Sequence, residues 1–164
     1  MSTIAAETIS GSCSISSKAL FRRILLPIDG SELSYRAFTM GLELASNFGA
    51  EAVVMHVVPP FNAIAYMTEF LAATELRYSQ HAVQSASRYL DKAKALAKDV
   101  QVQCEYHFMF GEHPHEAILG AADEHHCDLI VMATHGWHGL NRLVLGSETQ
   151  KVLARSHVPV LVCR

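Results

Sequence analysis

Long apolar runs, basic clusters, paired cysteines and tryptophan are all scarce in this chain of 164 residues. No apolar stretch approaches the roughly 20 residues that span a bilayer, so a membrane-embedded protein is not expected. Lys and Arg total 13 against 16 Asp and Glu, and no basic block stands out. The electrostatic footprint of a nucleic-acid binder is therefore missing. Cys13, Cys104, Cys127 and Cys163 fall at irregular spacing without a C-x-x-C pair, and they read as reduced, mostly buried thiols of a cytoplasmic protein. The opening MSTIAAETISGSCSISSKAL has neither the basic segment nor the continuous apolar segment of a signal peptide. Residues 1–20 are expected to form a flexible Ser-rich tail ahead of one domain at 21–164.

Catalytic signatures are also wanting. There is no G-x-x-x-x-G-K-[ST], hence no Walker lysine or usual magnesium hydroxyl, and no nucleophile–base pair is visible by spacing. No catalytic residue is assigned.

What is present is core: half of the residues are hydrophobic, enough for one well-buried domain. Phe21–Asp29 and Glu51–Val58 carry nearly unbroken apolar runs, the pattern of strands buried on both faces of a parallel sheet. Leu33, Ala37, Met40, Leu44, Ala45 and Phe48 define one face of a first helix, with Ser31 as its N-cap and Asn47/Gly49 at its end. Leu76, Val83, Leu90 and Ala97 recur every seven residues in a second, longer helix. Val102, Cys104, Tyr106 and Phe108 alternate with Gln103, Glu105 and His107, as in an edge strand with one wetter face. A third helix follows Pro114 with Ala117, Ile118, Ala121 and Ala122 as its buried stripe. Asp128–Ala133 and His157–Cys163 are the last two strands. Five strands alternating with four helices predict an α/β fold, a doubly wound five-stranded parallel sheet of order 3-2-1-4-5.

The informative stretch is Asp128–Gln150, DLIVMATHGWHGLNRLVLGSETQ. Its apolar strand ends at Ala133-Thr-His-Gly136, and a loop leads to Gly146-Ser147-Glu148-Thr149 at a helix start, where Ser147-x-x-Gln150 has capping-box spacing. Glycines permit close backbone approach, and a helix start offers N–H donors to an anion. A phosphate site is one reading; turns at Gly136 and Gly146 and a cap at Ser147 are the other. With Asp29 ending the first strand, the site would straddle the switch point between strands one and four.

Gly136, Gly146 and Ser147, spaced as Gly-x9-Gly-Ser with Ala133 in the place of a preceding glycine, resemble the nucleotide-binding signature of the universal stress protein family. The ILLPIDGSE, VVMHV and PVLVCR segments extend the likeness from about Phe21 to Arg164. The resemblance implies an adenine nucleotide alpha-hydrolase-like fold and ATP, with or without Mg2+, as ligand. It places the phosphates on Gly136, Gly146, Ser147 and Thr149, with Glu148 in the same turn, the ribose beside Met132, Ala133 and His135, and adenosine near Pro27, Ile28, Asp29 and Val57. Ala133 would crowd a ribose if its backbone needed positive φ, and Glu148 would repel a γ-phosphate if it pointed inward. Asp29 is equally suited to the Asp-Gly turn.

The last strand, with Val158, Val160 and Val162 on one face and Leu161 on the other, makes an apolar edge open to pairing. The family commonly dimerises there, so a homodimer through Val158–Cys163 is expected. Three functions stand open: an ATP-binding stress-response module signalling through the loop Gly136–Leu145; a nucleotide-independent interaction protein that docks a protein partner on Phe61–Leu71; and an enzyme, as a slow ATPase or an adenylate-forming relative, for which Arg142 reads as a surface arginine before an extra cation. No metal site is assigned, because His113/His115 and His125/His126/Cys127 lie at opposite ends of a helix about 15 Å long. His135, His138 and Trp137 sit in the key loop without an evident orienting partner.

Overall fold

The computed structural model describes residues 20–60, 72–135 and 145–164, with backbone alone at 72–76. Strand and helix alternate throughout: β1 (Arg23–Pro27), α1 (Glu32–Phe48), β2 (Glu51–Val58), α2 (Ala72–Ala97), β3 (Cys104–Phe110), α3 (Pro114–Glu124), β4 (Leu129–Ala133), α4 (Ser147–Arg155) and β5 (Val160–Cys163). The strands pair in parallel in the order β3-β2-β1-β4-β5, as the alternating pattern predicts.

Unbroken apolar runs work here because successive side chains enter two different cores. Ile24 and Leu26, Ala52 and Val54, and Leu129 and Val131 face α1 and α2. Leu25, Val53 and Met55, and Ile130 and Met132 face α3 and α4. α1 begins where the Ser31 hydroxyl accepts the Ser34 N–H, and it ends at Gly49.

Four local expectations need correction. Met40 is not in the core: it is 46% exposed, and the buried face of α1 runs through Ser34, Tyr35, Ala37, Phe38, Gly41, Leu42 and Ala45. Serine and glycine on the covered side hid that face from a hydrophobic count. Phe108 is exposed, paired edge-to-face with Phe110, because α2 lies over β2 more than over β3. β5 starts at Val160 rather than His157, since the Ser156 hydroxyl takes both the N–H and the carbonyl of Val158 into a local turn. Ser147 is not a cap: Gly146 is the N-cap of α4, without a side-chain bond, and Gln150 donates instead to the Leu145 carbonyl.

The sheet opens where the topology reverses. β1 pairs with β2 over five residues but with β4 only through Ile24↔Leu129 and Leu25↔Ile130, so β1 and β4 part toward their carboxyl ends. Ligands of open α/β sheets bind in such a crevice. The residues 1–19 of the expected tail, Phe61–Leu71, and Gly136, Trp137, His138 and Arg142 lie outside the described residues.

Candidate functional site

Past the end of β1, the Asp29 carboxylate accepts the Ser31 N–H at 2.9 Å, and Gly30 adopts φ +88°. A Cβ on Gly30 would meet the Tyr89 ring of α2 at 2.5 Å, so this tight turn brings α2 onto the mouth of the crevice. Neighbouring Ile28 accepts the Nδ1–H of His56 at 2.9 Å. Burial holds His56 below its ordinary pKa, which makes it a neutral ring at pH 7, set edge-to-face against Tyr89.

The opposite wall comes from β4 and α4. Among the described non-glycine residues only His126 has positive φ, so Ala133 ends its strand in an extended conformation, and its methyl meets none of the anticipated backbone strain. The Gly146 N–H donates to the Thr134 carbonyl at 2.8 Å. That approach leaves little room, since a Cβ on Gly146 would stand 3.1 Å from the same oxygen and 3.2 Å from His135 Cα. The Thr149 hydroxyl is already committed, donating to the Ala133 carbonyl at 3.0 Å, so what Thr149 can present to a ligand is its N–H. With a glycine as N-cap, no side chain caps the N–H groups of the first turn of α4. His135 has an orienting partner after all: the Thr134 hydroxyl, 3.0 Å from its Nδ1.

Glu148 turns toward α3. Its carboxylate accepts the His115 N–H at 3.0 Å, the His115 Nδ1–H at 2.8 Å and a Lys151 Nζ proton at 2.8 Å. The Nε2 of His115 then accepts from Arg155 at 3.2 Å. Since His113, the N-cap of α3, makes no side-chain bond, Glu148 supplies the missing cap from a neighbouring helix. Burial alone would raise its pKa; the hydrogen bonds from Lys151 and His115 outweigh that and bring it down to about 2. A depressed carboxyl stabilises the fold fully above its ordinary value of 4.5, and that stabilisation is lost as pH falls from there toward 2. The side chain is 34% exposed, so we discount the contribution for solvent screening to about 1–2 kcal/mol. Glu148→Gln is expected to melt about 5 °C lower at pH 7. The difference should narrow steadily below pH 4.5; thermal melts that differ equally at pH 7 and pH 3 would refute this assignment.

These walls enclose one cleft of about 880 Å³. Pro27, Ile28, Asp29, Val57, Met132, Ala133, His135, Gly146, Ser147, Glu148 and Thr149 all line it, while Gly136 lies outside the described residues. Sequence reasoning missed the third side. Tyr78, Ala82, Ser85 and Tyr89 form a stripe of α2 along the cleft, with Tyr78 tied to the Pro59 carbonyl at 2.8 Å, and His56, His81 and Pro114 join them. The available signal was their spacing of four, three and four residues, a second helical face beside the heptad of apolar residues.

The model of the Universal stress protein family matches residues 20–164. Universal stress protein YxiE of Bacillus subtilis is 33% identical over 152 residues, covering 88% of this chain and 100% of the relative. Universal stress protein MJ0531 of Methanocaldococcus jannaschii is 31% identical over 147 residues, covering 88% and 83%. Among solved structures, the universal stress protein UspA from Lactobacillus plantarum superposes with a TM-score of 0.74 at 26% identity, over 87% of this chain and 97% of that one.

Proposed function

The chain belongs to the universal stress protein family, and from that premise we propose that it is an ATP-binding member: a homodimeric, cytoplasmic module of the stress response whose nucleotide occupancy is read by a protein partner. One observation carries the proposal. Eleven of the twelve residues expected to hold the nucleotide line a single cleft at the switch point of the sheet. Its volume falls within the roughly 300–1,000 Å³ of small-molecule sites.

The donor set suits a nucleotide. Pro27, Ile28 and Val57 offer an apolar wall for a purine, with Asp29 beside the adenosine. Across the crevice the uncapped first turn of α4 presents N–H groups and its positive dipole end to phosphate. Glu148 is pinned to His115 and Lys151, which limits its repulsion of an arriving anion. Magnesium would enter with the phosphates that carry it. The loop between β4 and α4 would transmit occupancy, and hydrolysis, resting on phosphate positioning alone, would be slow.

Dimerisation is proposed through β5. Cytoplasmic residence draws support from the free thiols of Cys104, Cys127 and Cys163. No helix among the described residues is long and apolar enough to cross a membrane.

Calorimetric titration with ATP and magnesium tests the central claim. Saturable binding to the nucleotide-stripped protein is expected, weakened about tenfold in Asp29→Asn, on the scale of one hydrogen bond to a charged group. Asparagine keeps an acceptor for the Ser31 N–H, so that variant should still fold, which a thermal melt checks. Absence of heat with the natural chain would overturn ATP binding in favour of a nucleotide-independent interaction protein.

A further inference from the structure

At the other end of the sheet from the cleft, a second group of side chains converges. Glu105 and His107 stand two residues apart on one face of the edge strand β3, and His125, the C-cap of α3, comes against them. Glu105 Oε2 lies 3.5 Å from His107 Nε2 and 3.9 Å from His125 Nδ1. The imidazole centroids are 4.7 Å apart, and one donor atom of each residue lies within 4.8 Å of the other two. We propose that Glu105, His107 and His125 bind a borderline divalent cation, zinc or a neighbouring first-row ion, which ties β3 to the end of α3.

One carboxylate oxygen and two imidazole nitrogens gathered within 4.8 Å of one another form a donor set that a divalent cation can use. The Glu105 carboxylate already meets both rings, and one doubly charged ion placed among the three atoms would be held by all of them. Tetrahedral coordination with bonds of about 2.1 Å places ligand atoms about 3.4 Å apart. The 3.5 and 3.9 Å separations to Glu105 are close to that value, and the two imidazole nitrogens, within 4.8 Å of each other, would close in by a side-chain rotation. Two imidazoles and a carboxylate suit zinc and its transition-metal neighbours better than calcium or magnesium, which prefer oxygen.

The surroundings hold the site ready. Arg23 pairs with Oε1 of Glu105, which leaves Oε2 aimed at the two rings. Around that guanidinium, Glu51 lies 3.8 Å from Arg23 Nε, and the Asp128 carboxylate accepts the backbone N–H groups of Arg22 and Arg23. Three carboxylates thus face two guanidiniums. The carbonyl end of α3 adds partial negative charge beside His125. Side chains 39%, 43% and 21% exposed leave an entry path and room for water on the ion. The distance between the histidine groups at the two ends of α3 does not weigh against this site. His115 is engaged by Glu148 and Arg155, and the partners of His125 come from β3 rather than from its own helix.

Zinc chloride titrated into the metal-free, full-length chain against a chromophoric chelator tests the proposal. The tightest site should take one ion per chain. His107→Ala and His125→Ala should each weaken it at least about tenfold, while His113→Ala and His126→Ala leave it unchanged. Cobalt should give visible ligand-field bands that vanish in the first pair and persist in the second. Circular dichroism melts establish that each variant folds. Zinc held as tightly by His107→Ala as by the natural chain, or affinity lost evenly across all four variants, would overturn the site.

Discussion

Gly146→Val is expected to abolish ATP binding, a fall of at least about 100-fold or about 2.7 kcal/mol, while the chain stays folded. The reason lies in how closely the loop is packed. A Cβ added here would stand 3.1–3.3 Å from the Thr134 carbonyl and from His135, so even alanine must push its neighbours by a few tenths of an ångström. Valine adds two methyl groups beyond this already crowded Cβ, beside the α4 N–H groups. Accommodating them displaces the donors to phosphate. The residue lies at a loop-helix junction outside both apolar cores, so the stability loss should stay near 1–3 kcal/mol, the usual scale of overpacking. Gly146→Ala should fall between, about tenfold weaker than the natural chain. Calorimetry on the two variants, with thermal melts beside it, decides: unchanged affinity in both would place the phosphates elsewhere.

Val162→Pro should convert a dimer to a monomer, raising the dissociation constant at least about 100-fold. The pairing along β5 explains why this position is sensitive. The Pro159 and Cys163 carbonyls accept from Ile130 of β4 and from Thr134 just past it, so by strand alternation the backbone groups of Val160 and Val162 face outward. Proline at 162 removes an outward N–H while sparing the ladder to β4. Beside this edge, Leu161 is 38% exposed, as is Met40 at 46%, whose sulfur lies 3.4 Å from that of Cys163. A second copy would cover this apolar shoulder, which gives the misassigned Met40 a purpose. Sedimentation velocity at micromolar concentration is the measurement, with circular dichroism to establish folding. A natural chain that sediments as a monomer would end the dimer hypothesis, and a Val162→Pro variant that remains dimeric would move the interface away from β5.

The architecture was legible because its signals are local. Doubly buried strands such as LIVMA and ILLP leave unbroken apolar runs, and strict alternation with helices admits few topologies. The turn after β1 was legible for the same reason, and so was the place where α4 starts, though not its cap, which is Gly146 rather than Ser147. What escaped was long-range or disguised. Glu148 meets His115 across thirty-three positions, and no spacing rule joins them. The α2 wall of the cleft uses Tyr78, Ser85 and Tyr89, residue types that read as a solvated face until a neighbour is known to stand opposite. Glu105, His107 and His125 meet only because β3 sits at the edge and α3 runs back beside it.

The carboxylate of Glu148 has a mechanical meaning as well. It pins the first turn of α4 to the first turn of α3, and both turns border the same cleft. A phosphate that draws α4 inward must either carry α3 along or break the pin, at a cost on the scale of a charged hydrogen bond, about 1.5–3 kcal/mol. One good phosphate contact supplies that much. The two helices therefore stand as one linked wall of the cleft, so that a pull on the start of α4 is felt at the start of α3.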